Sequence, residues 1–243
     1  MSNEVEAAVL DSLLSVWKDV TPWMDAFIHD AGKHFLTRCF PDIVVSDRAS
    51  VEAGIVNELA FSLVKVAWPG GEHPRAIVDY DPRYPQIVSD SIDRIRARSG
   101  DASATLSPDG GSEALKVAMR LNWMLRTRIL TSTEELNSAA FRVPIKGSGF
   151  VGPLEADVLA GGLLLEIKAG QRSIQARDVR QLLLYASLLS EAGRDLDSVC
   201  WVNPRRGEVI RLSAEEISHR VSGRAWYELR SRIVSALGIA VSR

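Results

Sequence analysis

The feature that most constrains this chain is a change of hydrophobic period near residue 140. Before it, apolar residues recur every three or four positions, as on one face of a helix. Val5, Val9, Leu13 and Val16 mark a first helix over residues 3–19. Thr21-Pro22 reads as an N-cap followed by proline at the first position of a second helix. That helix runs to about Cys39, and Pro41 ends it. Ser50 caps a third helix, Val51 to Ala67, which Pro69-Gly70-Gly71 stops. The proline-rich stretch 69–86 reads as an irregular connection with one short strand at 76–80. Helices follow over 86–98 and 110–128, and Ser132 with Glu135 makes a capping box for a short helix ending near Ala140.

After residue 140 the period is two. Phe141–Ile145, Leu154–Ala160, Leu163–Lys168, Asp197–Asn203 and Glu208–Leu212 read as strands. Gly161-Gly162 is a two-residue hairpin signal. A helix spans 175–191, Ser213 with Glu216 starts a short one, and a last helix covers 224–237. Helices and strands mixed in this way predict an α/β fold.

Charge sets a first limit on function. The 29 Lys+Arg against 31 Asp+Glu give a formal net charge of −2. That excludes a protein that holds nucleic acid by bulk charge, while a local basic surface remains open. From residue 151 onward there are 13 basic against 11 acidic residues, so the excess acid lies in the helical first part. Two cysteines, Cys39 and Cys200, are too few for a disulfide framework or a four-cysteine metal centre, and they read as buried thiols. No run approaches the ~18 apolar residues of a membrane span, and the acidic start does not resemble a signal peptide. The expectation is a cytoplasmic protein with no membrane partner. No G-x-x-x-x-G-K loop is present, so nothing points to a nucleotide motor.

The chemistry concentrates in the hairpin. With a two-residue turn at Gly161-Gly162, Asp157 falls opposite Glu166 and Glu155 opposite Lys168. Opposed residues share a face, as do residues two apart. Glu155, Asp157, Glu166 and Lys168 therefore project from one face, and Ala156, Val158, Leu165 and Ile167 from the other. Two opposed carboxylates repel each other. A divalent cation between them removes that cost, and magnesium takes one or two carboxylates with water and phosphate oxygens. A lysine two residues after the second acid reaches the same place. On the following helix, Arg177, Gln181 and Tyr185 lie one turn apart on one face.

The pattern Glu155-Ala-Asp157 … Glu166-Ile-Lys168 … Gln181-x-x-x-Tyr185 resembles the PD-(D/E)XK nuclease superfamily, and within it the RecB-type nuclease domains. The resemblance implies a central mixed sheet flanked by helices, as in restriction endonucleases. It divides the chain into a helical segment, 1–49, packed on a nuclease-like domain, 50–243, as one compact unit. It implies hydrolysis of phosphodiester bonds, with DNA as the favoured substrate and bacterial defence or DNA repair as settings. Asp157 and Glu166 would bind Mg2+, for which Mn2+ substitutes. The carbonyl of Ile167 would be a further ligand, and Glu58, on the helix before the sheet, would complete the site. Lys168 would assist the attacking water, with Gln181 and Tyr185 in support. Arg172, Arg177 and Arg180 are candidate phosphate contacts. Pro153 stands four residues before Asp157 rather than beside it, and no histidine lies near Glu58. A protein partner or a second copy would supply further grip. The competing reading is a nuclease-fold scaffold subunit in a larger nucleic-acid-processing complex.

Overall fold

A computed structural model describes residues 14–46, 48–148 and 151–239. The sheet forms because the period-two segments pair. Its strands are β1 (Thr37–Arg38), β2 (Ala140–Ile145), β3 (Leu154–Ala160), β4 (Leu163–Ile167), β5 (Ser198–Asn203) and β6 (Glu208–Ser213). They make one six-stranded sheet in the order β1-β6-β5-β4-β3-β2. Only β4 and β5 run parallel; the other neighbours are antiparallel, so the sheet is mixed.

Helices cover both faces. The first layer holds α1 (Leu14–Val20), α2 (Met24–His34), α8 (Ala176–Glu191), α9 (Ala214–Ser222) and α10 (Trp226–Ile239). Trp17, Met24 and Phe27 pack there with Leu183, Val221, Leu229 and the sheet residues Leu164 and Trp201. The second layer holds α3 (Ser50–Ala67), α4 (Pro74–Tyr80), α5 (Tyr84–Ser99), α6 (Pro108–Met124) and α7 (Thr133–Ser138). Its core joins Leu59, Leu63, Val117 and Leu121 to Val158, Leu163, Leu165 and Val202. Each fully buried leucine contributes about 1.5–3 kcal/mol. The α/β fold with a central mixed sheet between helices thus follows the period change read from the sequence. Among the described residues, no helix is long and apolar enough to cross a membrane.

Several boundaries move. The helix expected over 3–19 is described only from Leu14. The second helix begins at Met24, because Thr21 Oγ1 donates back to the Trp17 carbonyl at 2.8 Å instead of capping forward. It stops at His34 rather than Cys39, because Thr37 and Arg38 pair with Val209 and Glu208 at the sheet edge. Ser50 lies inside α3, whose N-cap is Ala49. The strand expected at 76–80 is helix α4: Pro74 occupies its first turn and His73 Nδ1 accepts the Arg75 N–H. The helix expected over 110–128 ends as an α-helix at Met124 and continues as a π-turn, Leu125–Ile129, closed by Leu130 N–H on the Leu125 carbonyl. The capping box of Ser132 and Glu135 and the cap of Ser213 on Glu216 form as read. Cys200 is buried and its thiol pushed up to about 12 by that burial, whereas Cys39 is half-buried.

Candidate active site

The β3–β4 hairpin pairs Ala160 with Leu163, Leu159 with Leu164 and Val158 with Leu165, the register set by the Gly161-Gly162 turn. There the ladder ends. The next inward amide, Ile167 N–H, is taken by Asp157 Oδ2 at 2.7 Å, not by the facing backbone. The strands part at this point, and the alternation of side chains reverses. Ala156 packs in the first layer and Val158 in the second. On β2, Val143 and Phe141 divide in the same way. Between them Arg142 adopts φ 57°, a left-handed conformation rare for a residue with a side chain. This corrects the expectation that Ala156 shares a face with Val158, Leu165 and Ile167.

The parting of the strands opens a cleft of about 300 Å³ between α3 and α8. Glu155, Asp157, Glu166, Ile167 and Lys168 all line it, as do Gln181 and Tyr185 from α8 and Glu58 from α3. Lys168 Nζ stands 2.7 Å from Glu166 Oε1, and its backbone N–H is fixed by the Val202 carbonyl at 2.8 Å. Gln181 Nε2 donates to Tyr185 Oη at 3.1 Å, so the polar pair on α8 is held as a unit.

Burial and the neighbouring Glu166 carboxylate push Asp157 from its ordinary 3.8 up to about 8, against the opposing pull of Lys168, the Ile167 N–H and Arg142. Two carboxylates with this mutual cost fit a divalent cation. Among the described residues, no three His, Cys, Asp or Glu side chains converge as a metal cage. A magnesium site needs no such cage, since one or two carboxylates with water and phosphate oxygens suffice. In extended backbone a residue's N–H and C=O leave on the same side, so the Ile167 carbonyl turns toward Asp157.

The remaining candidates are placed differently. Glu58 reaches the cleft, but its carboxylate is held by three guanidiniums: Arg142, Arg94 at 3.3 Å and Arg98 at 3.4 Å. Glu155 pairs with Arg142 at 3.2 Å and Arg94 at 4.0 Å. Arg172 lines the cleft while clamped on Asp178 by two hydrogen bonds of 2.6 and 2.8 Å. Arg177, exposed, and Arg180, half-buried, do not line it.

Sequence reasoning missed the arginine wall and its support. Arg94 and Arg98 lie one turn apart on α5, within the span whose spacing predicts a helix, so their common direction is legible in the sequence. Asn203 was also missed. Fully buried, its Nδ2 donates to the carbonyls of Gly170 and Arg172, and its Oδ1 accepts the N–H groups of Arg205 and Arg206. It ties the loop after Lys168 to the β5–β6 turn. No protein family, curated protein or solved structure matches this chain.

Proposed function

We propose that the protein is a metal-dependent nuclease of the PD-(D/E)XK kind, acting on phosphodiester bonds, with DNA as the favoured substrate. The observation that carries this reading is the meeting of Asp157, Glu166 and Lys168 where β3 and β4 part. A chain gains no stability from two carboxylates that oppose each other's charge. Such a pair in a cleft marks a functional-site candidate.

Asp157 and Glu166 would hold Mg2+ or Mn2+. A bound ion would supply Lewis-acid polarisation of the scissile phosphate and of a water beside it. Lys168, poised 2.7 Å from Glu166, places a cationic donor where negative charge develops on the phosphate. The Ile167 N–H holds the Asp157 carboxylate in one orientation. The Gln181–Tyr185 pair forms a polar wall of the cleft on α8. The restriction-endonuclease-like topology, the cytoplasmic setting and a role in defence or repair belong to this proposal.

The test is incubation with plasmid, linear duplex, single-stranded DNA and RNA in Mg2+ or Mn2+, beside Lys168→Ala. Cleavage that falls about 10²-fold or more in the variant supports the reading. Absence of cleavage by the wild type, or equal cleavage by the variant, sinks it. Titration calorimetry with Mn2+ adds a separate readout: binding by the wild type is expected to be lost in Asp157→Ala. A protein that binds nucleic acid without cutting it, and without taking Mn2+, would instead be a nuclease-fold scaffold.

A further inference from the structure

We propose that Arg94, Arg98 and Arg142 form the subsite that receives a phosphate of the nucleic-acid substrate, with Glu58 and Glu155 as the counter-ions that preset these guanidiniums. The inference rests on the nuclease reading and adds to it the group that grips the substrate.

Charge balance is the first ground. Three guanidiniums share two carboxylates at the α3 side of the cleft: Glu58 meets all three, and Glu155 meets two of the same; Arg98 and Arg142 line the cleft, and Arg94 stands behind them on both carboxylates. One positive charge is left over on that wall. A guanidinium also carries more N–H donors than one carboxylate can accept, and its planar fork matches phosphate oxygens. The Arg94 and Arg98 side chains are 42% and 24% exposed, so an incoming anion can reach them. The second ground is backbone strain. Arg142 holds φ 57° within a strand, an unfavourable conformation for a residue with a side chain that persists where its surroundings impose it. That turn carries its guanidinium onto Glu58 and over the Phe61 ring at 4.8 Å, on the wall of the cleft that holds Asp157. The third ground is the alternative cations. Arg177 and Arg180 do not line the cleft, whereas Arg98 and Arg142 do, and Arg94 joins them through its ion pair with Glu58.

The experiment measures anisotropy of short fluorescein-labelled DNA, single- and double-stranded, with and without a 5′ phosphate. It is run across a salt series in Ca2+, a hard cation that takes oxygen ligands with looser geometry than Mg2+. The proteins are the wild type, R94Q/R98Q, R94K/R98K and R177Q/R180Q, each first shown folded by thermal melting. We expect R94Q/R98Q to bind about 10-fold or more weaker and to flatten the slope of log affinity against log salt by about 1–2. R94K/R98K is expected to keep the slope and recover part of the affinity, because charge remains but the fork is lost. R177Q/R180Q is expected to match the wild type. An unchanged slope and affinity in R94Q/R98Q, or a loss carried by R177Q/R180Q, overturns the inference. Dependence on the 5′ phosphate assigns the subsite to a terminal phosphate, and independence to a backbone diester; both support it. A wild type that binds through these arginines yet never cleaves overturns the nuclease reading alone. A wild type that binds none of the DNAs overturns the inference, and the cleavage assay then decides the nuclease reading on its own.

Discussion

The surroundings of Asp157 oppose its charged form. Burial and Glu166 hold its proton on, and Lys168, the Ile167 N–H and Arg142 only partly offset them. Asp157→Asn keeps an oxygen for the Ile167 N–H and removes the like charge. In EDTA above about pH 8, this variant should be more stable than the wild type by about 1–2 kcal/mol, while cleavage is lost. Chemical denaturation beside the cleavage assay checks both, and a destabilised variant would show that Asp157 is a structural acid. Arg205 is the contrasting case, a charge buried for the fold. It is 1% exposed, pairs with Glu113 at 2.5 Å and donates to Asn57 Oδ1 at 2.9 Å. Arg205→Met should cost about 3 kcal/mol in urea unfolding, because Glu113 keeps only Arg48 as a cationic partner. A loss under about 1 kcal/mol would mean that the buried pair is dispensable.

At the scale of elements, the β3–β4 hairpin sets the register on which the site depends. Gly161 takes φ 57°, and a Cβ there would meet only Ser138 Oγ at 3.8 Å and Glu134 Oε1 at 4.0 Å, ordinary contacts, so asparagine, which tolerates that conformation, should fit within about 1 kcal/mol. Gly162 has no such room. A Cβ there would meet the Asp197 carboxylate at 2.3 Å and the Asp197 backbone nitrogen at 3.2 Å. The carboxylate can swing away, but the nitrogen is bonded to the Gly162 carbonyl at 2.8 Å and cannot. Gly162→Ala should therefore destabilise by about 1–3 kcal/mol, and Gly161→Asn should not. Thermal melts of the two variants test the asymmetry, and equal losses would contradict it. The hairpin was legible because a two-residue turn leaves a single register. The parting of its strands beyond Val158 was not, because it depends on how β2 lies alongside. β2 and β3 are too far apart in the sequence for their pairing to be set from it.

For the whole molecule, two sets of carboxylates pull stability in opposite directions. Burial resists ionisation of Glu208 and Glu113. Hydrogen bonds from Arg206, Ser173 and Arg38 to the first, and from Arg205, Ser46 and Arg48 to the second, outweigh it and hold both below their usual 4.5. What they contribute is present above that value and is lost as pH falls through their native pKa. Asp157 does the reverse. The folded chain keeps its proton up to about 8 while the unfolded chain releases it near 3.8, so stability falls as pH rises across that window. In EDTA the melting temperature should peak in mildly acidic solution and decline toward about pH 8. A profile that rises steadily between about pH 5 and pH 8 would contradict this. The sequence by itself determined the periods of two and 3.6, the caps of Ser132 and Ser213, the Gly161-Gly162 turn, and through it the approach of Asp157, Glu166 and Lys168. These are contacts within a few residues of chain, ruled by backbone geometry. Only the tertiary structure decided that β3 reverses its faces at Asp157, that Arg142 turns left-handed, and that Arg94, Arg98 and Arg142 gather on Glu58. Arg142 and Glu58 are 84 residues apart. Their meeting is set by how α3 packs against the sheet at β2, and no local spacing records that packing.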